Sequence, residues 1–249
     1  MTEERMQLVQ PILDTIENED IKEFAVVLLD GLPEYIWHVG ASSTGKYHPK
    51  YSLGEGGLMR HQMAVVRFLN FFFELEQYNS KLTNREMDLV RVCGLVHDGR
   101  KSGAQEDYEK CKYTRFDHPL RMAKVIREYE GKYLTSEEIE FMASVVASHM
   151  GQFNTDKKGE VILPKPANKF QRMLHVADYL ASRKCLTMDF DGYAEVKPEL
   201  PKLEDYKVSF PKHKGKTLLQ IKEEDPGYIA WMKTKDDWKE PIKSLLKQL

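Results

Sequence analysis

TNREMDLVRVCGLVHDGRK, residues 83–101, joins a helix start, an apolar face and a polar end in one stretch. Thr83 and Glu86 have capping-box spacing. The threonine hydroxyl accepts from the glutamate amide, and the glutamate side chain returns to the threonine amide. This predicts a helix running to about Asp98. Val90, Cys93, Gly94 and His97 recur at helical spacing and share a face. That face is apolar until it reaches an imidazole, and a carboxylate follows at once. Burying either group costs free energy unless it is paired or bound to a metal. The stretch therefore predicts polar partners arriving from other helices.

The rest of the chain offers them. His61 leads a stripe of Val65, Phe68 and Phe72. His118 lines up with Met122, Val125 and Tyr129. His149 follows Ile139, Met142 and Val146, and Asp178 shares its face with Leu174 and Ala181. A single histidine on an apolar face is more often a hydrogen-bonded core residue than a ligand, and Asp178 alone can be a helix-pairing group. Six such residues from five segments point instead to a shared metal centre. Nitrogen and oxygen donors together suit manganese, iron, cobalt, nickel or zinc better than magnesium alone. His97 and Asp98 point about 100° apart on a helix, yet near its end both can reach one ion. The two oxygens of Asp98 also allow it to bridge two ions.

Helical periodicity extends to about residue 186, so an all-α domain is expected. Helices are predicted over 3–19 and 20–31, with a turn at 33–39 after Pro33 and a loop over 40–57. A strongly apolar helix follows at 58–77. Residues 99–116 read as polar loop. Asp117 is placed to cap a helix ending near Gly131. Thr135 and Glu138 form a second capping box for a helix to about Met150, and the last long helix covers 168–186. Beyond Asp189, Pro198 and Pro201 interrupt a charged stretch. A strand or hairpin is expected near 206–215, then short helices at 216–224 and 226–233, the second opened by Pro226. The expected organisation is a domain over 1–189, a linker over 190–204 and a small α(+β) module over 205–249.

With 249 residues, 41% apolar and 31% charged, the chain reads as globular. A formal charge of −2 excludes a global basic field but leaves room for a local patch. Cys93, Cys111 and Cys185 show no CxxC spacing and suit a reducing compartment, with Cys93 and Cys185 read as packed thiols. No apolar stretch is long enough to span a bilayer, and MTEERMQL lacks a signal-peptide core. A cytoplasmic protein without membrane contact is expected. GASSTGKY at 40–47 approaches the phosphate-loop pattern, but Tyr47 replaces the required hydroxyl residue and Pro49 interrupts the following helix.

GGLMRH at 56–61, HDGRK at 97–101 and LHVADYLAS at 174–182, in this order, resemble the HD phosphohydrolase superfamily. The resemblance covers about residues 35–186. It implies a helical HD-domain bundle with metal ligands His61, His97, Asp98 and Asp178. In members with two metals, further histidines bind the second ion; His118 in DHPLRMA and His149 in SHMG match those places. Where the family often has a second histidine directly after the latter, this chain has Met150. One or two divalent ions are thus implied, magnesium being possible at the second site. Asp98 and Lys101 match catalytic positions, and Lys101 is the implied phosphate contact. From the entry loop ASSTGKYHPKY, Lys46 and His48 are candidates for substrate contact, along with Lys50. His175 is a candidate for the rim of the site, for proton transfer or for hydrogen bonding that orients a ligand.

FPKHKGKTLLQIKEEDPGYIAWM at 210–232 resembles the C-terminal module of exonuclease X-like proteins, through KGK, DPGY and a tryptophan. Such modules accompany nucleic-acid enzymes, often of phages, so a weak nucleic-acid contact is implied. The alternative is a stabilising appendage with Tyr228 and Trp231 in its core. The two resemblances imply a metal-dependent hydrolase of phosphate esters in nucleotides or nucleic-acid ends. The alternatives are a 3′–5′ exonuclease on single strands, a di-iron oxygenase, against which Lys101 argues, and a non-catalytic nucleotide-binding module. Oligomeric state is left open.

Overall fold

The computed structural model describes residues 1–42, 48–156, 158–190, 202–235, 238 and 241–249. The chain separates into two compact units, Met1–Glu195 and Val196–Leu249. The architecture is helical, with no strand among the described residues.

In the first unit, α1 covers Glu3–Leu13 and α2 Glu19–Asp30. α1 stops well short of residue 19. The amides of Glu17 and Asn18 are taken by the buried carboxylate of Asp88, at 3.0 and 2.9 Å, and so leave the helical pattern. A 3-10 turn at Glu34–Trp37 follows, then another at Lys50–Ser52 inside the expected loop. α3, Gly57–Glu74, ends three residues early because Leu75 is extended, and the one-turn α4 covers Glu76–Asn79.

α5, Asn84–Val96, starts on the Thr83/Glu86 capping box, both of whose hydrogen bonds form. α3 packs against α5. Gly94 allows this approach, since a Cβ there would lie 2.8 Å from Leu69 Cδ1. Leu69 is wholly buried, and burial of such a side chain contributes about 2 kcal/mol.

The supposed loop over 99–116 contains α6, Gln105–Lys110, where Asp107 returns to the Ala104 amide. α7 covers His118–Arg127. Asp117 stands at its N-cap but does not cap it; its carboxylate faces Arg121 Nε at 2.8 Å and Arg115 Nε at 3.4 Å. α8, Ser136–Ala147, forms on the Thr135/Glu138 capping box, and α9, Lys169–Ala181, on Asn168 and Gln171. α9 ends before residue 186, leaving Cys185 exposed rather than packed; Cys93 is buried. α7 packs on α8, and α9 on α3, α5 and α8.

The second unit has a small core of Val208, Leu218, Ile221, Ile229, Met232, Leu245 and Leu246. Around 206–215 there is an isolated antiparallel bridge between Lys207 and Thr217, instead of a strand. α10 covers Leu218–Glu224. α11, Pro226–Lys233, is capped by Asp225, which accepts from the Tyr228 amide at 3.1 Å. α12, Ile242–Leu246, had no counterpart among the expected elements. Trp231 is 46% exposed and is not a core residue. Most of the expected linker, and residues 43–47 of the phosphate-loop look-alike, lie outside the described residues. Among the described residues no helix is long and apolar enough to cross a membrane.

Candidate metal centre

His97 directly follows α5, and Asp98 opens the turn beyond it. That turn closes through Gly99 N to Val96 O at 2.8 Å and Lys101 N to Asp98 O at 2.9 Å. Gly99 makes room for it, since a Cβ would lie 2.5 Å from Leu32 Cδ2. Leaving the helix here lets two adjacent side chains turn inward together, and both are buried.

Three histidines are oriented by local carbonyls. Nδ1 of His97 donates to Gly94 O at 2.8 Å, Nδ1 of His118 to Arg115 O at 2.7 Å, and Nδ1 of His149 to Val146 O at 2.8 Å. A carbonyl only accepts, so Nδ1 carries the proton in each ring. In the neutral ring this leaves the Nε2 lone pair facing the centre, the arrangement typical of metal-ligating histidines.

The donors form two groups that share Asp98. Oδ2 of Asp98 lies 3.6 Å from His97 Nε2 and 3.9 Å from His61 Nε2. Asp178 Oδ1 joins them, 3.0 Å from His61 Nε2 and 3.7 Å from His97 Nε2. Oδ1 of Asp98 points the other way, 3.0 Å from His118 Nε2 and 3.8 Å from His149 Nε2. Donors around an ion with bonds of about 2.1 Å stand roughly 3–3.5 Å apart. The cluster is close to that spacing and is able to hold a metal ion.

Two observations test the fit. His97 Nε2, which faces the cluster, is buried without a hydrogen-bond partner. His118 Nε2 and His149 Nε2 face each other at 3.2 Å. Two neutral rings with protonated Nδ1 would set lone pair against lone pair, which a cation between them would relieve. Electrostatics agree at Asp98, Asp178 and His149, whereas at His97 burial is outweighed by Asp98 and Asp178, which favour the protonated ring. Burial would raise Asp98 and Asp178, but cationic and hydrogen-bonding neighbours outweigh it and hold both carboxylates well below their usual range. Those neighbours are Lys101, His97 and His118 for Asp98, and His61 and His97 for Asp178. Burial, then His97 and His118, pushes His149 down to about 3. Anionic carboxylates and a neutral imidazole are the ligand states a divalent ion requires.

A cavity of about 250 Å³ opens beside the cluster. Lys101 lines it and pairs through Nζ with Asp98. His48 also lines it, its ring 5.4 Å from that of His61. His175 stands on the wall, donating through Nδ1 to His149 O at 2.8 Å and facing Gln152 Oε1 at 2.9 Å. Met150 lines the same cavity. Lys46 lies outside the described residues, and Lys50 is exposed on its 3-10 turn. Thr114, Phe153, Tyr179 and Arg183 line the cavity without having been singled out from the sequence. Arg183 lies 4.2 Å over the Tyr179 ring. Their i,i+4 spacing just after Asp178 was the available signal.

Residues 209–237 match the family model described as Exodeoxyribonuclease X-like C-terminal. No curated protein and no solved structure matches the chain.

Proposed function

We propose that the chain is a metal-dependent hydrolase of phosphate esters in nucleotides or nucleic-acid ends, with its chemistry in residues 1–189. The observation that carries this is the division of Asp98, whose two oxygens face two separate sets of histidines. The same residues stand on the motifs that resemble the HD phosphohydrolase superfamily. His61, His97, Asp98 and Asp178 would hold one ion, and Asp98, His118 and His149 a second. Such ions, when bound, acidify water to a nucleophile near neutral pH and offset charge on a phosphate oxygen.

The chain's own groups account for the rest. Lys101 presents a cation at the cavity wall, suited to a phosphate oxygen, while its pairing with Asp98 fixes its position. His175 holds the His149 carbonyl and thereby the turn that carries that imidazole. His48 and Arg183 add nitrogen donors to the cavity wall. A 3′–5′ exonuclease acting on single strands is the second reading, favoured by the family match of the C-terminal unit.

Elemental analysis, with a panel of nucleotides and oligonucleotides under Mn, Fe, Co, Ni, Zn and Mg, tests the proposal. Asp98→Ala should lose metal and turnover together. Lys101→Ala should keep the metal and lose about 10²-fold or more in turnover, as expected for a group that stabilises transition-state charge. Full activity in Asp98→Ala would refute the assignment. Oxygen uptake by iron-loaded protein, with no phosphate released, would favour an oxygenase instead.

A further inference from the structure

The second unit carries a basic, aromatic surface that the metal centre does not use. Residues 202–249 contain eleven lysines against eight acidic residues, whereas the whole chain is net −2. The excess is not evenly spread. Lys212 pairs with Asp225, and Lys216 with Glu224. At the other end of α11, Lys233, Lys235 and Lys247 are exposed and have no carboxylate partner among the described residues. With Trp238 and Lys243 they line a cavity of about 300 Å³.

Aromatic faces adjoin these lysines. Trp231 is 46% exposed, and its ring lies 5.7 Å below Lys235 Nζ. Trp238 stands edge-on to it at 6.3 Å and is fixed by donating from Nε1 to Met232 O at 2.9 Å. An exposed indole beside exposed cations fits a ligand that offers flat apolar rings and repeated negative charge at once. Single-stranded nucleic acid has both. A duplex hides its base faces, and an acidic peptide lacks a ring in register with each charge.

We propose that Trp231, Trp238, Lys233, Lys235 and Lys247 form a binding surface for single-stranded nucleic acid, independent of the metal centre. The lysines take the phosphates and Trp231 stacks on a base.

The test is fluorescence anisotropy of a labelled oligothymidine of about fifteen nucleotides with the full chain, a length within known single-strand site sizes. Chelator is present throughout, so failure of the metal-site reading does not affect the result. The full chain is expected to bind, with affinity falling steeply as salt rises. Lys235→Gln/Lys247→Gln should lower the slope of log affinity against log salt by about 1.4, at about 0.7 per lost phosphate contact. Trp231→Ala should weaken binding about five- to a hundredfold, and Trp231→Phe should restore most of it, as stacking requires. Both sites are exposed, and circular dichroism checks each variant's fold. Absence of binding by the full chain overturns the proposal, as does parental affinity in the lysine variant. Parental affinity in Trp231→Ala, or equal competition by a duplex or by inorganic polyphosphate, reduces the surface to a general anion patch and overturns it too.

Discussion

At Asp98 one carboxylate faces two sets of nitrogen donors, and two of those donors, His97 and His149, are shifted in opposite senses. His149 and His48 are both pushed down to about 3, first by burial, so the unfolded chain takes up protons more readily than the folded one below the ordinary histidine value of 6.5. Their neutral burial contributes stability above that value, and this is lost as pH falls. Asp98 and Asp178, held low, add a further loss below the ordinary carboxylate value of 3.8. His97 is raised and acts in the opposite sense: its contribution is present below 6.5 and lost as pH rises through its folded value. Below 6.5 the His97 contribution is constant, so the two lowered histidines set the trend. Metal-free protein should therefore melt at progressively lower temperature between about pH 7 and 4, and His149→Gln should flatten the upper part of that trend. A melting temperature constant over this range would contradict the account. Gly151 offers a second residue-level check. It has φ +58°, and a Cβ there would lie 2.2 Å from His175 Cε1. Gly151→Ala should cost about 1–3 kcal/mol by denaturant melts through strain and crowding, and His175→Ala in the same chain should recover part of it.

Among elements, local chemistry was legible and distant chemistry was not. The boxes at Thr83 and Thr135 could be read because both partners lie within one turn of helix, and both form as written. Asp117 misled because Arg115 and Arg121, close in sequence, compete for its carboxylate. The early end of α1 could not be read at all, because Asp88 reaches it from some seventy residues away. Asp88 also accepts from Asn18 Nδ2 at 2.6 Å and Arg91 Nη1 at 2.7 Å. Removing it strands part-buried donors from the α1–α2 connection and from Arg91 on α5 itself. Asp88→Ala should destabilise by about 3–5 kcal/mol, as for other broken buried pairs. The measurement is equilibrium unfolding in urea; a loss under about 1 kcal/mol, the size of one ordinary hydrogen bond, would mean that Asp88 does not tie the α1–α2 connection to α5.

For the whole molecule, the six polar residues could be singled out because five of them fall on apolar stripes, Asp98 directly follows one, and their order resembles a known pattern; the structure brings them together. The basic surface of the second unit was not legible, since its lysines come from short segments and Trp231 reads equally well as core. The two units also separate the competing substrate readings. If the chain cuts polymers held by its second unit, tethering raises the local concentration of strand at no cost to the chemistry. Trp231→Ala should then raise KM for an oligonucleotide about five- to a hundredfold while leaving kcat, and all constants for a mononucleotide, unchanged. On the proposed function, Lys101→Ala should lower turnover of both substrates alike, because its cation would meet the phosphate itself. Steady-state kinetics of the two variants on both substrates distinguish the cases. Unchanged oligonucleotide kinetics in Trp231→Ala, with mononucleotides turned over efficiently, would favour a nucleotidase over an exonuclease.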